Sequence, residues 1–128
     1  MKSKITNLTI AISFLFLVGC SGTRSPEGAV KELLKRIEKK DKSASDLIYF
    51  KEFSEHKYER FSEKNEAASQ KFANEGGIKE ILFKDVIINA DNAALKVLIV
   101  YKSGREDDER LELRKIDGSW KVVYESLY

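Results

Sequence analysis

At Gly76-Gly77 the chain changes its period, and that change sets what it can fold into. Before it, apolar residues recur at the three-and-four spacing of amphipathic helices. After it, they come in runs and alternations with the period of strands. Paired glycines suit the break, because glycine readily takes the left-handed conformation that closes a helix. Helices first and strands afterwards is the order of an α+β domain, with the helices covering one face of an antiparallel sheet.

Four strands are expected after the break. Ile78 to Ile88 is rich in β-branched residues, and Ala90-Asp91-Asn92 turns the chain. Ala93 to Lys102 follows, and its middle (Leu95, Val97, Leu98, Ile99, Val100) is apolar on both faces. Such a strand belongs at the centre of a sheet with both faces covered, since at an open edge it invites aggregation. Ser103-Gly104 turns into Arg105 to Lys115, where Leu111 and Leu113 point inward and Arg110, Glu112 and Arg114 outward. Asp117-Gly118 is the strongest hairpin signal of the chain. Ser119 to Leu127 is the last strand, with Trp120, Val122 and Tyr124 on one face. Turns this short make consecutive strands pair.

Three helices are expected before the break. Ser25 caps the first, Pro26 takes its first position, and Glu27 suits its positive end. Ala29, Val30, Leu33, Leu34 and Ile37 form its apolar stripe. Its lysines face water, with Glu27, Glu32 and Glu38 diluting a basic face that would otherwise suit anionic headgroups. Ser43 or Ser45 caps a second helix carrying Leu47, Ile48, Phe50 and Phe53. A third runs from Glu55 to Asn74, with Tyr58, Phe61, Ala68 and Phe72 inward.

The N-terminus carries a different kind of signal. Lys2 and Lys4 precede an apolar run from about Leu8 to Val18, which ends in Leu17-Val18-Gly19-Cys20. The run is far short of the ~20 residues a spanning helix needs. This arrangement resembles the lipobox of bacterial lipoproteins. The resemblance implies recognition of Leu17, Val18 and Gly19 by a signal peptidase and cleavage before Cys20. It also implies a diacylglyceryl group on the Cys20 thiol and acylation of the new amino terminus. The chain then divides into a removed signal (1–19), a lipidated cysteine with a short tether (20–25) and one α+β domain (26–128). With Ser21 rather than Asp after the cysteine, the pattern resembles outer-membrane sorting in a Gram-negative host; in a Gram-positive host it implies the outer face of the cell membrane. A single cysteine forms no disulfide within the chain. The full chain has 23 basic and 21 acidic residues, and the two excess lysines lie in the signal. The remaining domain is neutral, which argues against a nucleic-acid partner.

Several features line up beyond the lipobox: Ser25-Pro26-Glu27, Gly76-Gly77-Ile78-Lys79, Asn92-Ala93-Ala94-Leu95-Lys96-Val97 and Asp117-Gly118-Ser119-Trp120-Lys121-Val122. Together they resemble a family of small bacterial lipoproteins of unknown function with a nuclear-transport-factor-2-like, cystatin-like domain. The resemblance implies helices packed on a strongly curved four-stranded antiparallel sheet, forming a cone with a pocket. It does not imply one function, because this fold hosts both enzymes and non-catalytic binding modules.

No cofactor and no metal are expected: no His, Cys, Asp and Glu stand at metal-ligand spacing, and no glycine-rich phosphate loop is present. His56 stands among Glu52, Glu55, Lys57 and Glu59, as on a solvated helix surface. Asp85 interrupts an apolar strand. If it points inward it is a candidate base of raised pKa, with Tyr101, Tyr124 or Tyr49 as a candidate donor; otherwise it marks a bulge or an exposed position. Tyr49, Phe53, Trp120 and Tyr124 are candidates to line an apolar pocket, or else they fill the core. Glu106-Asp107-Asp108-Glu109 reads as a solvated hairpin tip. The expectation is a membrane-anchored envelope domain that binds a protein or a small apolar ligand without catalysis. A homodimer packed sheet to sheet would cover the second apolar face of the central strand. The alternative is a small isomerase- or dehydratase-like enzyme acting on an apolar ligand in the cone.

Overall fold

The computed structural model describes residues 22–127. Leu17, Val18, Gly19 and Cys20 lie outside them. Helix α1 (Pro26–Glu38) starts as the sequence requires: Ser25 Oγ accepts the amide of Gly28 at 3.0 Å, and proline fills the first turn. Gly28 has a packing reason, since a Cβ there would collide with the carbonyl oxygen of Gly22. The stripe of Ala29, Val30, Leu33, Leu34 and Ile37 is buried. Helix α2 (Glu55–Asn74) is capped by Ser54, whose Oγ accepts the Lys57 amide at 3.1 Å. Its buried side chains are Phe61, Ser69 and Phe72.

The expected second helix is replaced by a six-residue 3₁₀ turn, Lys42–Leu47, and a two-residue strand β1 (Ile48–Tyr49). Strand β1 runs parallel to the final strand, Ile48 opposite Val122 and Tyr49 opposite Val123. The sheet therefore has five strands rather than four and is mixed rather than purely antiparallel. The others are β2 (Ile78–Asn89), β3 (Asn92–Tyr101), β4 (Glu106–Ile116) and β5 (Ser119–Val123), in the order β1-β5-β4-β3-β2. The last strand also stops earlier than expected, and Tyr124–Leu127 forms a helical turn, α3.

Strand β3 is an interior strand, paired on both sides by β2 and β4, as its composition demands, while β4 takes the centre of the sheet. Ala93, Leu95, Val97, Ile99 and Tyr101 are buried on the face toward the helices, while Ala94, Lys96, Leu98 and Val100 are half-buried on the other. The core lies between helices and sheet. Leu33, Phe61, Phe72, Tyr101, Trp120, Val122 and Tyr124 are all part of it.

Candidate functional site

The helices do not close on each other along their whole length. Near the C-terminal end of α1 they part, leaving a cleft of about 450 Å³. Three segments build it: Ile37 of α1, the link Lys40-Asp41-Lys42 with Ser45, and one wall of α2 running from Tyr58 through Phe61, Ser62, Glu63, Asn65 and Glu66 to Ser69.

The link is held by its own bonds. Helix α1 ends in a Schellman motif, with the Lys40 amide bonded to Ile37 O at 3.0 Å and the Asp41 amide to Arg36 O at 2.8 Å. This places Lys40 at φ 59, in the left-handed region that favours glycine. Helix α2 ends in the same motif, but there the left-handed residue is Gly76 at φ 83. Asp41 then opens the 3₁₀ turn, its Oδ1 accepting the amide and hydroxyl of Ser43 at 2.9 and 2.7 Å. Those two bonds, the hydroxyl's first, lower the Asp41 pKa. Arg36 Nη1 donates to Ser43 O at 3.1 Å and fastens the link to α1.

Ser69 is the anomaly in the α2 wall. Its residue is 3% exposed, and among the described residues its hydroxyl has no hydrogen-bond partner. Buried polar groups are nearly always bonded, and an unpaired one costs about 1–3 kcal/mol. An orphan hydroxyl lining a cleft is a group left for something else to satisfy.

The other side of α2 is different. There, on the helix-facing side of the sheet, Tyr101 Oη donates to Asp107 Oδ2 at 2.6 Å, and Lys71 Nζ bonds the same carboxylate oxygen. Tyr101 also packs on Phe72, ring centroids 5.8 Å apart. Burial, then the bond to Asp107, pushes the Tyr101 hydroxyl pKa up, so it stays protonated. The bonds from Lys71 and Tyr101 hold the Asp107 carboxyl below its usual range. Glu109 keeps much of its surface in water, yet partial burial of its carboxyl and the Asp107 charge raise it.

The residues singled out from the sequence are not brought together. Asp85 is not an inward carboxylate. It sits at φ 54 in a β-bulge between Lys84 and Ile87, with its side chain 61% exposed and 3.8 Å from Lys96 Nζ. An extra residue at a bulge swings its side chain off the strand's alternation, which is why Asp85 leaves the face of Ile81 and Phe83. Tyr49 lies on the short strand β1, beside Arg114 at 5.5 Å. Phe53 is 65% exposed and meets Phe50 edge to face. Trp120 and Tyr124 are buried, Tyr124 stacked on Phe50 at 5.1 Å. None of these four lines the cleft. His56 is on the exposed first turn of α2. The acidic run is not all a solvated tip: Asp107 and Glu109 pair with Ile99 and Val97 on the face toward the helices. Among the described residues no cluster of three or more His, Cys, Asp or Glu could hold a metal ion.

Ser69 and Lys40 are not marked as site residues by the sequence, and Asp107 reads there only as part of a solvated tip. The signals were present. Positions 58, 61, 62, 65, 66 and 69 form one helical stripe in which polar residues recur, and Asp107 and Glu109 continue the two-residue alternation of Leu111 and Leu113.

A Campylobacter jejuni structure, provisionally named an NTF2-like transpeptidase, superposes with a TM-score of 0.64 at 25% identity, covering 77% of this chain and 97% of that one. A de novo designed NTF2-fold protein, NT-9, reaches a TM-score of 0.46 at 11% identity, over 73% of this chain and 78% of its own. No match is found among curated proteins. The model of a domain of unknown function, DUF4878, matches residues 18–123. The α+β architecture is thus NTF2-like, and the chain belongs to the DUF4878 family.

Proposed function

We propose that this protein is a lipid-anchored domain of the cell envelope that binds a ligand rather than transforming one, with the cleft between α1 and α2 as its binding site. The observation that carries the binding role is the unpartnered Ser69 hydroxyl in a cleft of about 450 Å³, a volume typical of small-molecule sites. The large buried side chains occupy the core between helices and sheet, and the cleft carries the one buried hydroxyl without a partner among the described residues, which favours it as the place for a ligand. Saturable shifts of Phe61, Ser62 and Ser69 in a fragment screen by NMR would support the site; fragments that bind only elsewhere would overturn it.

The anchor rests on Leu17-Val18-Gly19-Cys20. A Cys20→Ser variant should lose metabolic labelling with a fatty acid and should escape normal cleavage. A variant that still labels and partitions with membranes would refute the anchor. Placement at the outer membrane or on the outer face of the cell membrane follows from the host.

A second copy of the chain fits the outward sheet face. Leu82, Ile87, Leu98 and Val100 form its apolar part, flanked by both Lys84, Lys96, Arg110 and Glu80, Glu106, Asp108. A two-fold interface requires a self-complementary patch, and this face carries both signs of charge around its apolar part. A monomer at micromolar concentration in sedimentation would count against it.

The enzymatic alternative has one observation in its favour, the joined Tyr101 and Asp107. A base working near neutral pH needs a raised pKa, whereas Lys71 and Tyr101 lower that of Asp107. Peptide transfer, the activity in the name of the Campylobacter protein, needs an activated nucleophile. Ser69, the buried hydroxyl of the cleft, has no base bonded to it.

A further inference from the structure

We infer that the cleft takes a small zwitterion, an amino acid or short peptide that presents a carboxylate to one lip and an ammonium to the other across an apolar body. This rests on the cleft being the binding site and goes on to its ligand class. The two lips carry opposite charge. On the link after α1, Lys40 and Lys42 stand on either side of Asp41, whose carboxylate is engaged by the amide and hydroxyl of Ser43 and leaves the lip one positive charge in excess. Glu63 and Glu66 stand on α2. These two lysines and two glutamates are exposed, and none is in an ion pair among the described residues. Between the lips, Ile37 and Phe61 give an apolar floor with Tyr58 at its margin. Ser69 adds one buried hydroxyl that can donate to or accept from a peptide group.

The backbone at Lys40 is left-handed at the end of α1. A left-handed lysine is strained by about 1 kcal/mol or more where glycine would not be. The equivalent position after α2 is Gly76. The cap that closes α1 sets the Lys40 side chain on the rim of the cleft. An uncharged apolar ligand would leave both lips unanswered and Ser69 unbonded. A phosphate would suit Lys40 and Lys42 but would meet Glu63 and Glu66 across the cleft. A zwitterion answers all of them.

The test is titration of the full-length protein, isotope-labelled in detergent, with the dipeptide leucyl-alanine. Saturable shifts at Phe61, Ser62 and Ser69 are expected. N-acetylation of the dipeptide, or amidation of its C-terminus, should each weaken binding about tenfold, the loss of one charge-assisted contact. Glu66→Gln should weaken the free dipeptide by a similar factor without further weakening the acetylated one. Lys40→Gly should do the same toward the amidated one. Lys40→Gly should also raise the melting temperature, so a loss of binding there cannot come from misfolding. Equal binding of free and capped dipeptides would overturn the assignment. So would shifts at the same residues with uncharged p-cresol but not with the dipeptide; the binding site would then stand and its ligand class fall. No shift at these residues with either probe would remove both.

Discussion

Helix α2 has two working sides, and they treat polar groups in opposite ways. Toward β3 and β4 the polar groups are mostly answered, Glu109 being the exception. Lys71 and Tyr101 share Asp107, and just past the helix Glu75 takes the Ser103 hydroxyl at 2.6 Å and lies 3.3 Å from Arg105. Toward α1, among the described residues, the buried hydroxyl of Ser69 has no hydrogen-bond partner and Lys40, Lys42, Glu63 and Glu66 form no ion pair. The first side is built to hold the helix on the sheet. The second gives up some stability, as sites that bind something often do.

The sharpest break of this comparison is a pair of aromatic truncations. Phe72→Ala, on the closed side, should cost about 3–5 kcal/mol, the range for a buried phenylalanine. Tyr58→Ala, at the cleft, should cost about 0.5 kcal/mol or less. Similar losses in urea unfolding would mean that the cleft side is packed after all. Next in size, Asp107→Asn should cost about 1–2 kcal/mol by weakening its bonds to Lys71 and Tyr101.

The pH dependence of the closed side follows in sign. The Asp107 pKa is lowered in the fold. Its contribution is therefore complete above the unfolded value of about 3.9 and is lost as pH falls below it. The Tyr101 pKa is raised. Its contribution is complete below the unfolded value of about 10 and is lost as pH climbs above it. Melting curves should fall off at both ends. Tyr101→Phe should remove the alkaline fall and reduce the acid one, since it also deletes one of the bonds that lower the Asp107 pKa. Glu109 is raised and opposes Asp107, so Glu109→Gln should stabilise the protein at neutral pH. The smallest effect is expected at the cleft. Ser69→Ala deletes an unsatisfied hydroxyl and should leave stability unchanged or raise it by up to about 1 kcal/mol. A clear loss would show that the hydroxyl is bonded in solution.

The helices α1 and α2 and the four long strands are legible because their signals are local. Caps, glycine turns and apolar periods lie within a few residues of the elements they set. Strand β1 is not legible, because Ile48 and Tyr49 become a strand only by pairing with Val122 and Val123. Nothing within the 3₁₀ turn and the residues after it announces that partner, and their apolar residues imitate a helical stripe. Asp85 shows the limit in another way. A polar residue in an apolar strand marks either a buried site or a bulge, and only the positive φ decides. The cleft is least legible. Lysine is a poor signal for a left-handed cap, and a serine on a polar helix looks solvated until the opposing helix buries it.

The short segment before α1 has a consequence for orientation. The Trp120 amide bonds to Thr23 O at 2.8 Å, and the Thr23 hydroxyl reaches Ser119 at 3.4 Å. The chain is thus pinned to the start of β5 only three residues after Cys20. Three residues span at most about 11 Å. With lipid on Cys20, as proposed, the domain would not roam on a leash. It would stand on the bilayer surface with the Asp117-Gly118 end of the sheet held beside the headgroups, presenting the same flank of the protein to the membrane in every copy.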